Sequence, residues 1–392
     1  MISKLTQQIK KCISNKGKGL DVFWKKSKKY GINSDIKRKE YGILATRNIM
    51  QERMEKKIKV SIVMPIYNEE KYIEKCIQSL LRQDYPLEDM EWIFVDGKSN
   101  DKTIEILNWY VEKYPDLIRV YQNPHKIVPY AMNIGISASR GIYIVRLDAH
   151  ADYAIDYISK CIFYLENTNA DNVGGVIETK SRGFVGNAIA KMLSSKFGVG
   201  NSQFRICGDS GYVDTVPFGA FKRDVFQKLG GYDERLVRNQ DNEMNFRIRK
   251  NGGKIYMSKD IKLAYYCRDS IKGIIGMAKE NGMWNIITMR LCPGSMGIRH
   301  FIPFIFVCSM IGLIFLGMLY QVFWWLLALE LFLYGILDII FSIKSGSTIK
   351  ERLILIILFP CFHISYGIGS IAGIAKLCKK EYRQNKYQPK KI

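Results

Sequence analysis

The residues Asp148-Ala149-His150 place two ligand types for a divalent cation two positions apart. Residues i and i+2 leaving a strand can present both groups to one side, with a small residue between them. Aspartate supplies a hard oxygen, and an imidazole suits manganese better than magnesium. Asp152 adds a further carboxylate, and Arg146 stands where a guanidinium could reach a diphosphate or make an ordinary ion pair. Taken alone, Asp-x-His reads more simply as a loop cap beside a surface histidine, because motifs this short recur by chance.

Two other acidic positions invite the same question. Asp96 closes the apolar run Glu91–Val95 and is followed by Gly97, an arrangement suited to hydrogen-bonding a base or a ribose; Asp101 fits the cap of the next helix. Asn239-Gln240-Asp241-Asn242-Glu243 opens a helical pattern that stops near Gly252. Acidic residues in a first turn commonly serve only the helix dipole.

The elements that must position these residues alternate between strand and helix over 58–260, the pattern of an α/β domain with a largely parallel sheet. Strands are expected over Ile58–Pro65, Glu91–Val95, Ile118–Tyr121 and Gly141–Leu147. Helices are expected over Glu69–Arg82, Asp101–Tyr114 and Val128–Ser139. This phasing sets Asp96 and Asp148 at carboxyl ends of strands, where open α/β sheets bind ligands.

The last third is different. Apolar runs at about 301–319, 322–343 and 353–375 have the length of membrane elements, the first two separated only by Tyr320-Gln321. The third contains Pro360, Gly367, Gly369 and Gly373, which predict a broken, re-entrant or interfacial element of undetermined depth. Asp338 and His363 lie inside these runs and should face protein or water. Segment 269–300 reads as an interfacial amphipathic stretch.

Charge is concentrated at the ends. Of a net +22, residues 1–59 carry 17 Lys/Arg against 5 Asp/Glu, and 376–392 carry 7 against 1. Basic segments beside apolar spans mark a cytoplasmic face drawn to anionic lipids. No zinc-knuckle spacing or aromatic-studded basic sheet accompanies the charge, so nucleic acid is not expected as a partner. Nine scattered cysteines without a CxxC pair suit a reduced, cytosol-facing protein. The organisation expected is a basic arm (1–57), a catalytic domain (58–268), the interfacial segment, the membrane segments (301–375) and a basic cytoplasmic tail (376–392).

In combination the motifs resemble glycosyltransferase family 2, inverting nucleotide-sugar transferases with the GT-A fold. Val60-Ser61-Ile62-Val63-Met64-Pro65-Ile66-Tyr67-Asn68-Glu69-Glu70 is similar to the family's opening strand and loop, and Asp96 through Thr103 to its D-G-x-S-x-D-x-T segment. Asp148-Ala149-His150 stands in place of D-x-D, and Arg146 through Ala151 resembles the succinoglycan-biosynthesis type of membrane glucosyltransferase. Gly219-Ala220-Phe221, Gly230-Gly231-Tyr232-Asp233-Glu234 and Gln240-Asp241 follow in family order.

The resemblance implies Asp241 as catalytic base and Mn²⁺ or Mg²⁺ on Asp148 and His150. It implies a nucleotide-sugar pocket from Pro65, Tyr67, Asn68, Glu69, Asp96, Arg146 and Asp148. The acceptor expected is a lipid-linked saccharide. Processive members carry Q-x-x-R-W before their spans; here Glu280-Asn281-Gly282-Met283-Trp284 keeps only the Trp, which favours transfer of a single sugar. A processive synthase, and a non-catalytic membrane-surface or nucleic-acid binding protein, stand as the alternatives.

Overall fold

A computed structural model of the protein describes residues 58–378; the basic arm and most of the basic tail lie outside the described residues. Nine strands form one sheet. They are β1 (Val60–Ile66), β2 (Met90–Asp96), β3 (Ile118–Gln122), β4 (Tyr143–Arg146), β5 (Ala151–Tyr153), β6 (Asn172–Lys180), β7 (Gly211–Tyr212), β8 (Ala220–Lys222) and β9 (Ile255–Tyr266). The order is β3-β2-β1-β4-β8-β6-β9-β5, with β7 also on β9.

The β3-β2-β1-β4 half is parallel, as the alternation predicts, and β1 and β2 are almost wholly buried on both faces. The other half is mixed. Strand β8 runs antiparallel to both β4 and β6, and β5 and β7 run antiparallel to β9. The expectation of a mostly parallel sheet therefore holds for one half only. The short strands of the second half carry too few residues for their periodicity to declare them.

Helices α1 (Ile73–Leu81), α2 (Thr103–Lys113), α3 (Val128–Ala138) and α4 (Tyr157–Asn167) cover the sheet. In α1 the apolar positions Ile73, Cys76, Ile77 and Leu80 follow helical spacing and are all buried. A fully buried side chain of this size contributes about 1.5–3 kcal/mol. Asp101 works as expected at the start of α2: its carboxylate accepts from the Thr103 N–H at 3.0 Å, and from Glu70 N–H at 3.1 Å.

Beyond β6 come α5 (Gly183–Leu193), the single turn α6 (Lys196–Val199), α7 (Arg223–Leu229) and α8 (Gln240–Lys250). Four long helices close the chain: α9 (Ile271–Leu291), α10 (Ile302–Gly317), α11 (Val322–Ser345) and α12 (Ile349–Lys376). Two of them, α11 and α12, are long and apolar enough to cross a membrane; α10, at 16 residues, is shorter. Large apolar side chains along α10 and α11, among them Phe315, Trp325 and Phe332, are uncovered by protein. Asp338 and His363 do face protein: Asp338 accepts from Ser342 Oγ at 3.1 Å, and His363 contacts the Tyr334 hydroxyl at 2.9 Å and the Phe197 carbonyl at 3.0 Å.

The third apolar segment is not broken. Helix α12 is continuous over 28 residues with Pro360 inside it, and a Thr348–Glu351 capping box starts it. Its glycines serve close packing rather than chain breaking. A Cβ on Gly369 would collide with the Lys279 carbonyl of α9, and one on Gly282 of α9 with the Tyr366 carbonyl of α12. The buried face of α9 (Ile274, Ala278, Gly282, Ile287) is turned toward this contact and the domain, leaving Ile271 and Lys272 exposed.

Gly369→Val should therefore force α9 and α12 apart. Overpacking typically costs about 1–3 kcal/mol, and here the obstacle is backbone. A melting temperature several degrees lower in detergent is expected; an unchanged one would show that the helices do not depend on this contact.

Candidate active site

Two loops form one wall of the site by pairing with each other. Gly97 N–H donates to the Ile66 carbonyl at 2.8 Å, Asn68 N–H to Ser99 Oγ at 2.9 Å, Asn100 N–H to Asn68 Oδ1 at 2.9 Å, and Glu69 N–H to Thr103 Oγ1 at 2.8 Å. Asn68 and Lys98 take left-handed backbone angles, φ 56° and 62°, to make the turns. Asp96 is buried at the end of β2 and accepts from Ser99 Oγ at 2.6 Å, so it shapes the loop as well as facing it. Pro65 lies in β1 just before this wall. Tyr67 is left 43% exposed, with the Lys126 ammonium 5.6 Å from its ring centre. An exposed ring beside a cation is a platform for a flat, anionic ligand.

The opposite wall is the turn between β4 and β5, which carries Asp148 and His150. The buried Tyr153 clamps it: its hydroxyl accepts from Asp148 N–H at 2.8 Å and donates back to the Asp148 carbonyl at 3.2 Å. His150 Nδ1 lies 3.4 Å from Glu69 Oε1, joining the two walls. That hydrogen bond, helped by the nearby Asp148 charge and opposed by burial, raises the His150 pKa above its ordinary value.

Asp241 enters from the first turn of α8. Its carboxylate does not cap the helix; it accepts a hydrogen bond from Arg146 Nη1, while Arg146 Nη2 stands 3.5 Å from Asp148 Oδ1. The arginine side chain is only 5% exposed and its Nε is buried without a hydrogen-bond partner. Arg146 is thus held between the two carboxylates rather than offered freely to a diphosphate. Burial pushes the Asp241 pKa up, the Arg146 charge opposes the rise, and Asp148 adds to it. Glu243, two residues on, turns to Arg247 at 2.6 Å and takes no part.

Asp152 points elsewhere. It pairs with Lys75 at 2.7 Å and accepts from the Tyr266 hydroxyl at 3.2 Å. The cation question therefore falls to Asp148 and His150. The Asp148 carboxylate touches protein only through the long contact to Arg146, and His150 Nε2 has no protein partner among the described residues. One hard oxygen and one imidazole nitrogen on the same turn fit a divalent ion that shares its coordination with a diphosphate. No group of three or more acidic, His or Cys ligands occurs among the described residues, so oxygens of substrate and water would complete the shell.

Sequence reasoning missed how α8 is placed. Asn239 precedes it in a left-handed conformation, φ 63°, and its amide donates to Asn285 Oδ1 at 2.8 Å and Thr288 Oγ1 at 3.2 Å on α9. Asn285 in turn donates to the Tyr366 hydroxyl of α12. Arg238 pairs with Glu280 and donates to Asn281 at 3.1 Å. The segment aligned with Q-x-x-R-W thus braces the loop that aims Asp241. Only the unusual run of Asn and Gln around 239–242 hinted at this.

Sheet order, the paired loops and the acidic turn define a GT-A nucleotide-sugar transferase fold. Among solved structures, the mannosyltransferase PcManGT from Pyrobaculum calidifontis, in complex with GDP-Man and Mn2+, superposes with a TM-score of 0.52 over 81% of this chain and 87% of that one. At 17% identity the likeness establishes the fold. The sequence profile of glycosyl transferase family 2 matches residues 61–230. A Methanococcus voltae enzyme, the dolichyl N-acetyl-alpha-D-glucosaminyl phosphate 3-beta-D-2,3-diacetamido-2,3-dideoxy-beta-D-glucuronosyltransferase, is 30% identical over 80% of this chain and 98% of its own length. Succinoglycan biosynthesis protein ExoA of Rhizobium meliloti (strain 1021) is 28% identical over 62% of this chain and 73% of its own. The chain belongs to glycosyltransferase family 2.

Proposed function

We propose that the protein transfers a single sugar, a hexose such as glucose, with inversion, from a nucleotide-diphosphate donor such as a UDP-sugar to a lipid-linked saccharide in cell-surface polysaccharide assembly. The observation that carries this is the Arg146 bridge, which joins the strand-end Asp148 to the helix-start Asp241 in one small site. The Methanococcus voltae relative is named for a dolichyl phosphate-linked acceptor and the Rhizobium meliloti relative for succinoglycan biosynthesis, and both support the direction of the reading.

In the reaction, Asp241 takes the proton of the acceptor hydroxyl as that oxygen attacks the anomeric carbon. The bond to the diphosphate oxygen breaks on the opposite face, and the nucleoside diphosphate leaves. Arg146 orients the Asp241 carboxylate and moderates its basicity. Tyr67 and Asp96, with the Pro65–Glu69 loop, hold and orient the nucleotide. Asp148 and His150 would hold Mn²⁺ or Mg²⁺, which when bound neutralises charge on the departing diphosphate. The domain works at the cytoplasmic face, anchored by α10–α12. The basic arm and tail are drawn to an anionic leaflet by about 1 kcal/mol per nearby Lys or Arg.

A panel of radiolabelled nucleotide sugars offered to membranes containing the protein, with Mn²⁺ supplied, tests the reading. One donor should label a solvent-extractable lipid by one sugar residue. Label in a long polymer would mean processive synthesis, and consumption of no donor would remove the enzymatic reading.

Arg146→Gln probes the base separately. Asp241 must be ionised to act, and its pKa already stands above the usual Asp value of about 3.9. Removing the opposing cation raises it further, so the acid limb of kcat/KM against pH should move to higher pH. An unmoved limb would detach Asp241 from that titration.

A further inference from the structure

A cavity of about 570 Å³ lies away from the nucleotide loops. One end is bounded by Thr215, by Asn239, which precedes α8, and by Asn242 in the first turn of α8, the turn that also carries Asp241. From there it runs between the domain and the membrane helices, where Phe306, Tyr334, Leu337 and Phe362 form its apolar wall. Tyr334 stacks on Phe306 at 4.7 Å, which keeps that wall closed on itself.

Four cationic side chains, Lys196, Arg205, Arg238 and Arg299, also line the cavity, and they are not equivalent. Arg238 is neutralised by Glu280 and Arg299 by Asp214 at 2.8 Å. Arg205 has no carboxylate partner among the described residues. Its Nη1 is buried without a hydrogen-bond partner, and its guanidinium lies 5.7 and 5.8 Å from the ring centres of Phe204 and Tyr265. Retaining an unpaired guanidinium in a half-buried, ring-lined position is costly unless an anion completes it.

We propose that this cavity binds the acceptor lipid, with its phosphate on Arg205 and Lys196 and its hydrocarbon chain along Phe306, Tyr334, Leu337 and Phe362. The inference rests on the glycosyltransferase reading and gives that acceptor an address. The polar end beside α8 then receives the saccharide, so its hydroxyl meets Asp241. The chain lies where it can continue into the bilayer along α10 and α11, whose apolar faces are open. A guanidinium pairs with phosphate in bidentate fashion, which explains an Arg at the deep position and a Lys at the more exposed one.

Binding of farnesyl diphosphate to the detergent-solubilised full chain tests this. UDP and GDP are kept in excess to occupy the nucleotide site, and inorganic pyrophosphate and farnesol serve as comparison ligands. Farnesyl diphosphate should bind more tightly than either comparison ligand. Arg205→Gln should weaken it at least tenfold with an unchanged melting temperature, while Arg205→Lys, which keeps the charge but not the fork, should weaken it less. Leu337→Trp, which fills the apolar end, should weaken farnesyl diphosphate and spare pyrophosphate. Equal binding by Arg205→Gln, no advantage over pyrophosphate, or no binding in the presence of the nucleotides would each overturn the assignment. Donor hydrolysis by the unmodified chain is read separately. Its failure would count against the transferase reading, whereas failure of farnesyl diphosphate binding alone would count against the cavity.

Discussion

Asp241→Asn is expected to leave a folded, membrane-bound protein whose transfer rate is lower by roughly 10²–10⁴-fold, the usual contribution of a general base. The substitution preserves shape and leaves an amide oxygen that can still accept from Arg146, so α8 and its bracing by Asn239 and Asn285 should persist. What is lost is the ability to take a proton. The effect should therefore fall on kcat with little change in donor KM, because the proposed mechanism gives Asp241 the acceptor hydroxyl rather than the donor. Single-turnover transfer of labelled sugar measures it directly. Near-normal turnover would transfer the base role elsewhere, and among the described residues no other carboxylate shares the Arg146 contact except Asp148.

Asp148→Ala should be as severe for a different reason. Its carboxylate is 18% exposed and, among the described residues, engaged only by the long Arg146 contact, so removing it costs the fold little. It removes the one hard oxygen that the turn offers a cation. Metal neutralisation of a leaving diphosphate is worth several kcal/mol, and each 1.4 kcal/mol is tenfold, so a loss of about 10³-fold or more is expected. Donor affinity and the dependence of rate on Mn²⁺ should fall together. Titrating Mn²⁺ against rate in both forms distinguishes the outcomes: a variant with wild-type Mn²⁺ dependence would take the cation away from Asp148. His150→Ala tests the weaker donor on the same turn and should shift the dependence without abolishing it.

Local signals were enough to find the parallel half of the domain. Buried β1 and β2 read as nearly continuous apolar runs, interrupted by Ser61 and Glu91, because both faces are covered, and α1 declared itself by spacing. Asp96 and Asp148 could be placed at strand ends by phasing alone, since a strand's end is visible in its own residues. The two long apolar helices were visible for the same reason.

Other features were not local. The mixed half of the sheet consists of two- and three-residue strands such as β5, β7 and β8, too short for any period to show. Pro360 and the glycines of α12 have the sequence signature of chain breakers, yet they lie in one continuous helix that α9 approaches closely. A glycine's freedom and its smallness look identical in sequence; only a neighbour decides which is used.

By itself the sequence identified the family, through a strand-end carboxylate with a histidine beside it, the Asp96–Thr103 segment and an acidic helix start in family order. It also determined that the chain ends in apolar helices between basic segments. Tertiary structure alone decided that Arg146 stands between Asp148 and Asp241, that Asp152 turns away to Lys75, and that Arg205 meets no counter-charge among the described residues in a cavity reaching the apolar helices. The physical reason is common to all three. The pKa and role of a charge depend on burial and on which charges lie within a few ångströms, and those neighbours come from segments far apart in the chain.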